Sequence, residues 1–139
     1  MPIRVVVADD NSLIRRQIRA LLELDTDVDL CAEAVNGVDA VRTVQESHPD
    51  VVIVDFQMPL MNGLEVTRRI KARMPFVRVL IFALEYSSQL KWESERAGAD
   101  AILPKAQGGS RLSRVIHSLM HSTETDWKST PSGGDQGRA

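Results

Sequence analysis

The hydrophobic pattern of this chain alternates between short apolar runs and longer amphipathic stretches. Runs such as Ile3–Ala8 and Val51–Val54 are rich in β-branched residues, as expected of parallel strands covered on both faces. The stretch Leu13–Leu22 instead places its apolar residues on one helical stripe, with arginines between them. The predicted strands are Ile3–Ala8, Leu30–Ala34, Val51–Val54, Val77–Phe82 and Ala101–Leu103.

Capping and helix-breaking residues mark where the predicted helices begin. Asn11 or Ser12 can cap the first helix, and Ser110 can cap the last, which continues through Met120. The helices between them are predicted after Asn36-Gly37, after Gly63 and, with a weaker pattern, over Ser88–Arg96. Five strands that alternate with five helices predict a doubly wound α/β domain with a parallel sheet.

The composition is that of one globular domain followed by a polar tail. The chain has 139 residues, of which 43% are hydrophobic and 26% charged, so it can bury a core without disulfides. After Ser122 the pattern changes, and Lys128–Ala139 is rich in glycine and serine without a hydrophobic stripe. We therefore predict a domain over residues 1–122 and a disordered tail over residues 123–139.

Charge and hydropathy exclude several classes of partner. The chain has 17 basic and 19 acidic residues, so its charge gives no attraction to nucleic acid, and we predict no direct nucleic-acid binding. The longest apolar runs, such as Val79–Leu84, fall short of the roughly 20 residues that span a membrane. A single cysteine, Cys31, and the lack of an export signal in this sequence predict a cytoplasmic location.

Charged side chains follow three of the predicted strands. Asp9 and Asp10 come after the first strand, Asp55 after the third and Lys105 after the fifth. Ligand sites in such sheets lie outside the carboxyl ends of the strands, so we expect these side chains to converge. Carboxylates that meet in one pocket repel each other unless a cation neutralises them, and an all-oxygen set suits Mg²⁺. Each residue alone would be a helix cap or a surface residue, but the combination is less easily explained that way.

A lysine beside acids and Mg²⁺ indicates phosphoryl transfer. The lysine and the cation hold the phosphoryl oxygens, and a central carboxylate can itself act as the nucleophile. Asp55 follows the central strand and is the best-placed nucleophile.

Three segments resemble the receiver (response regulator) domains of bacterial two-component signalling. They are Asp9-Asp10, Asp55–Gly63 and Gly98–Lys105, and the resemblance covers about residues 3 to 122. It implies the flavodoxin-like receiver fold, with strand order 2-1-3-4-5. In style the sequence is closest to receivers that precede a helix-turn-helix DNA-binding domain.

The resemblance assigns a role to each site residue. Asp55 would accept a phosphoryl group from a histidine kinase or phosphotransfer protein and become a 4-aspartylphosphate. Asp10, Asp55 and the main-chain carbonyl of Gln57 would bind Mg²⁺, with Asp9 acting through water. Lys105 would hold a phosphoryl oxygen. The chain would catalyse only its own phosphorylation and dephosphorylation, so we do not expect an enzyme that acts on another substrate.

Two positions depart from the family pattern. Receivers normally have serine or threonine where Ala83 stands, and an aromatic residue where Ile102 stands. Both parts of the usual switch are therefore absent. The alternative interpretation is a non-switching pseudo-receiver that serves as a docking module.

Two other interpretations of the acidic strand ends fit the sequence less well. A Mg²⁺-dependent phosphohydrolase with an aspartate nucleophile usually has a second acid two residues later, where this chain has Gln57. A flavin-binding protein would have a hydroxyl-rich phosphate loop after the first strand, where this chain has Asp9–Ser12.

The expected partners follow from the short sequence after the last helix. The residues after Ser122 are too few for a DNA-binding domain, so signalling would use a downstream protein partner or an output domain missing from this chain. The resemblance also allows a homodimer through the fourth helix, fifth strand and fifth helix. His117 and His121 have the spacing of a metal-binding pair, but the sequence suggests no third ligand, so we interpret them as helix-surface residues.

Overall fold

The computed structural model describes residues 2–121, which form a five-stranded parallel sheet covered by helices. The strand order is β2-β1-β3-β4-β5, which confirms the doubly wound α/β fold and the predicted order. The strands are β1 Ile3–Ala8, β2 Val28–Ala34, β3 Val51–Asp55, β4 Arg78–Ala83 and β5 Ala101–Pro104. The helices are α1 Ser12–Glu23, α2 Gly37–Ser47, α3 Gly63–Arg73, α4 Ser88–Ala97 and α5 Gly108–His121.

The core consists of two apolar layers, one on each face of the sheet. Ile18 and Leu22 of α1 and Ile116 of α5 pack on one face, while Val44 of α2 and Val66 of α3 pack on the other. Every residue of β3 is buried, as its continuous apolar run predicts. The central position of β3 brings its last residue, Asp55, to the middle of the carboxyl edge of the sheet.

The loops at this edge end in side-chain caps on the helices that follow them. Asn11, Asn36 and Asn62 accept hydrogen bonds from the first-turn N–H groups of α1, α2 and α3, and Ser87 does the same for α4. A cap of this kind contributes about 1 kcal/mol to stability. Of the two caps suggested for α1, the structure selects Asn11.

Several predicted boundaries are wrong by one to three residues, among them the start of the second strand, which is Val28 rather than Leu30. The last helix begins at Gly108 rather than after Ser110, because the 3₁₀ turn Lys105–Gln107 leads directly into it. The fourth strand spans Arg78–Ala83 rather than Val77–Phe82, because parallel pairing with β5 continues to the Ala83–Pro104 pair. Ala83 is therefore the last residue of the strand.

Two further predictions concern the C-terminal end of the chain and membrane-spanning segments. The predicted boundary at residue 122 and the predicted tail over 123–139 lie outside the described residues. Within residues 2–121, no helix combines the length and apolarity needed to cross a membrane.

Candidate functional site

The charged residues that follow the strands meet at the carboxyl edge of the sheet. Asp9 comes directly after β1, Asp55 ends β3 and Lys105 follows β5. Lys105 Nζ lies 2.9 Å from Asp55 Oδ1 and 3.2 Å from Asp9 Oδ2. One ammonium group therefore bridges two carboxylates from different strands.

The three aspartates form a compact set of oxygen ligands. One carboxylate oxygen from each of Asp9, Asp10 and Asp55 lies within 4.8 Å of the others. Asp9 is only 1% exposed and Asp55 6%, whereas Asp10 is exposed. Oxygen ligands beside open solvent suit a cation that keeps part of its water shell, so the donor set fits Mg²⁺.

Local backbone geometry holds Asp9 in place. The N–H of Asn11 donates to Asp9 Oδ1 at 2.9 Å, and Lys105 donates to Asp9 Oδ2. The main-chain carbonyl of Asp9 accepts a 2.7 Å hydrogen bond from Arg15 of α1. Asp9 is thus fixed by contacts to both oxygens, while Asp10 carries the solvent-facing carboxylate.

Burial and neighbouring charges shift the pKa values of Asp55 and Lys105. Burial raises the pKa of Asp55, and the charge of Asp9 adds to this effect despite the opposing hydrogen bonds from Lys105 and the Gln57 N–H. Burial by itself lowers the pKa of Lys105, but its hydrogen bond to Asp55 and the two carboxylate charges outweigh burial and raise it. A single cation cannot neutralise two buried carboxylates, so the site retains an excess of negative charge.

A cleft of about 1020 Å³ opens above these residues. Gln57 lies on its wall, exposed, and its N–H supports the Asp55 carboxylate. Glu85 and Tyr86, on the loop between β4 and α4, also line the cleft, and the sequence analysis did not identify them. Their position after a strand end was the signal that could have found them, because the same rule selected Asp9 and Asp55.

The two atypical positions lie in neighbouring strands, Ala83 at the end of β4 and Ile102 within β5. Ala83 is buried and lines the cleft with a methyl group. Ile102 is partly buried and packs against the core layer that contains α2 and α3. Neither side chain carries a hydrogen-bonding group, so neither can respond to a phosphoryl group through a hydroxyl.

The sequence matches the family of the response regulator receiver domain over residues 5–117. This match covers most of the chain, and the chain belongs to that family. The fold and the acidic edge described above agree with it.

The chain is similar to part of two longer curated relatives. The chain is 32% identical over 114 residues to the transcriptional regulatory protein LnrK of Bacillus subtilis (strain 168), covering 82% of this chain and 52% of the relative. It is 39% identical over 108 residues to protein-glutamate methylesterase/protein-glutamine glutaminase 4 of Myxococcus xanthus (strain DK1622), covering 77% of this chain and 31% of that protein. The chain therefore spans about half of the first relative and about a third of the second.

Two solved structures are similar throughout the domain. A LuxR-family two-component response regulator from Aurantimonas sp. SI85-9A1 has a TM-score of 0.82 at 28% identity, covering 86% of each chain. The response regulator domain of Thermotoga maritima CheB also has a TM-score of 0.82, at 26% identity, covering 88% of this chain and 98% of that one.

Proposed function

We propose that this chain is the phosphoacceptor receiver of a two-component phosphorelay, with Asp55 as the phosphorylated residue. The observation that carries the proposal is the contact between Lys105 Nζ and Asp55 Oδ1, at 2.9 Å, inside a cluster of acids. A buried carboxylate at the end of the central strand has its nucleophilic oxygens directed at the cleft edge where a phosphodonor can approach.

Asp10, Asp55 and the Gln57 carbonyl would hold Mg²⁺ in this proposal. Asp9 would act through water, as the family resemblance implies, with its two oxygens also contacted by Lys105 and the Asn11 N–H. When bound, Mg²⁺ offsets the negative charge of the incoming phosphoryl group.

The chemical step is a transfer between two nucleophiles. A carboxylate oxygen of Asp55 forms a bond to phosphorus while the P–N bond of a phosphohistidine breaks, and the electron pair remains on the imidazole nitrogen of the donor. Lys105 keeps its positive charge, since its pKa is raised, and contacts a phosphoryl oxygen in place of the carboxylate. The cytoplasm is the proposed compartment, and the donor is a histidine kinase or a phosphotransfer protein.

Intact-mass measurement tests the assignment of Asp55. The full chain is incubated with Mg²⁺ and a small phosphodonor such as acetyl phosphate, and we expect one added phosphoryl group. Asp55→Asn should lose this addition, whereas Asp29→Asn, an exposed change on β2, should keep it. Labelling that persists in Asp55→Asn would remove Asp55 from the role, and steady turnover of a phosphomonoester would instead support the phosphohydrolase alternative.

A second function is favoured by Ala83 and Ile102. Without the hydroxyl and the aromatic side chain of the usual switch, the chain would act as a non-switching docking module. Hydrogen exchange with and without beryllium trifluoride, a phosphoryl mimic, separates the two functions. The switching receiver predicts altered protection in α4 and β5, and the docking module predicts none.

The output of the chain belongs to a partner or to another domain. The relatives are named a transcriptional regulator and a methylesterase, and each is longer than the matched region. We propose that this receiver acts on a separate protein or on a DNA-binding domain outside this chain, with a homodimer through α4, β5 and α5 as its active form. Sedimentation velocity with and without the phosphodonor tests the dimer.

A further inference from the structure

A second group of metal-ligating side chains lies at the opposite edge of the sheet. Asp25 and Asp27 are on the loop between α1 and β2, and His117 is on α5. One ligand atom from each lies within 4.8 Å of the others. The Asp27 carbonyl accepts a 2.7 Å hydrogen bond from the N–H of Ile3, which places the group beside the first residue of β1, away from the acidic cleft.

The fold places carboxylates beside His117 that the sequence alone does not indicate. His117 Nε2 lies 2.9 Å from Asp25 Oδ2, a contact between residues 92 positions apart. The rings of His117 and His121 are stacked with centroids 6.0 Å apart, so both imidazoles lie on the same side of α5. His117, predicted to be a helix-surface residue, is partly exposed on α5, and its ring also pairs with a carboxylate from another element.

The central carboxylate of this group is held by neighbouring donors. The Ser113 hydroxyl donates to Asp25 Oδ2, and the Asp27 N–H donates to Asp25 Oδ1 at 2.9 Å. These two hydrogen bonds fix the orientation of the Asp25 carboxylate. A ligand that is already oriented loses less freedom when it binds an ion.

We propose that Asp25, Asp27 and His117 form a binding site for a divalent transition metal of the Zn²⁺ class, with His121 as the adjacent imidazole. One nitrogen and two carboxylate oxygens suit zinc-like ions better than Mg²⁺, which prefers oxygen ligands alone. The ion would replace the 2.9 Å hydrogen bond between His117 and Asp25, and these two atoms would move apart to bind it. The bound ion would then link the α1–β2 loop to α5, at a site separate from the acidic cleft.

Zinc titration of the full chain by calorimetry tests the site. We expect one Zn²⁺ to bind, and binding to weaken about tenfold or more in His117→Gln and in Asp25→Asn, as lost ligands usually cause. Two control variants should bind like the parent chain. His48→Asn removes an exposed histidine outside the group, and Asp10→Asn disables the acidic cleft.

Two outcomes would overturn the site. One is equal zinc affinity in His117→Gln and the parent chain, and the other is loss of binding in Asp10→Asn, which would place the ion in the acidic cleft. Cobalt absorption of the unmodified chain gives a test that needs no variant. Strong visible bands of a four-coordinate ion support the site, and the weak spectrum of hydrated cobalt contradicts it. Phosphorylation of Asp55 plays no part in either measurement, so failure here leaves the proposed function untouched.

Discussion

The methyl group of Ala83 limits the hydrogen bonds that the cleft can donate to an anion. Ala83 lines the cleft at the end of β4, with no hydroxyl to donate to a phosphoryl oxygen. In the proposed function, phosphoryl transfer and the response to it therefore depend on different residues. Lys105 and the aspartates would serve transfer, and Ala83 would limit the response.

Restoring the hydroxyl should strengthen the phosphorylated state. Ala83→Thr adds a donor, and a hydrogen bond to a charged group contributes about 1.5–3 kcal/mol. We expect less phosphodonor to be needed for half-maximal labelling of Asp55, measured by intact mass. Ala83→Val is the matched control because it has the same shape without the hydroxyl. If both variants behave alike, the effect comes from volume rather than from hydrogen bonding.

Leu60 carries local backbone strain in the loop between β3 and α3. Its φ of 73° is in the left-handed region. Leu60 is 77% exposed, so packing of its side chain does little to offset the backbone strain. Leu60→Asn should raise the free energy of unfolding by about 1 kcal/mol, since asparagine tolerates this conformation. Urea denaturation measures the gain. Leu24→Asn, at a right-handed position that is 82% exposed, should show no such gain.

At the scale of elements, the start of α5 depends on a close contact with β4. A Cβ on Gly108 would lie 2.6 Å from Cζ of Phe82, whose ring is buried, so the ring has little room to move. A Cβ on Gly109 would meet nothing within 4 Å. The two neighbouring glycines therefore have opposite sensitivities to substitution.

This difference gives a paired stability prediction. Gly108→Ala should destabilise the chain by about 1–3 kcal/mol through overpacking. Gly109→Ala should stabilise it by about 0.5–1 kcal/mol, because alanine favours the helix. Thermal unfolding of both variants measures the signs. A stabilising Gly108→Ala would show that the Phe82 ring yields without cost.

At the scale of the whole molecule, the acidic edge makes stability depend on pH. The pKa of Asp55 is raised in the folded chain, so between its unfolded and folded pKa values the folded state binds more protons. The contribution of Asp55 to stability therefore falls as pH rises from its unfolded pKa through its folded pKa. Asp55→Asn removes this effect, and its stability advantage should be larger at about pH 7.5 than at about pH 4.5. Urea unfolding in magnesium-free buffer measures it, and an advantage independent of pH would contradict the argument.

Much of this fold can be predicted from the sequence, and the physical reasons can be named. Continuous apolar runs such as that of β3 mark buried strands, and the strand-end rule brings Asp9, Asp55 and Lys105 to one edge. The strand order required the family resemblance, because periodicity does not encode which strands are neighbours.

Such rules do not predict contacts between residues that are far apart in the sequence. The pair of Asp25 and His117 joins residues 92 positions apart, and neither residue lies in a pattern that indicates the other. The start of α5 was missed for a similar reason. Ser110 has the chemistry of a cap, but the fit of Gly108 against Phe82 belongs to tertiary packing.

The position of α5 gives this helix a mechanical property. Near its first residue it is seated on Phe82, next to the turn that carries Lys105, and at its last turns it is tied to Asp25. A helix held at both ends cannot tilt at one end without moving the other. A displacement of Lys105 that tilts α5 would therefore also change the contact between His117 and Asp25 at the opposite edge of the sheet.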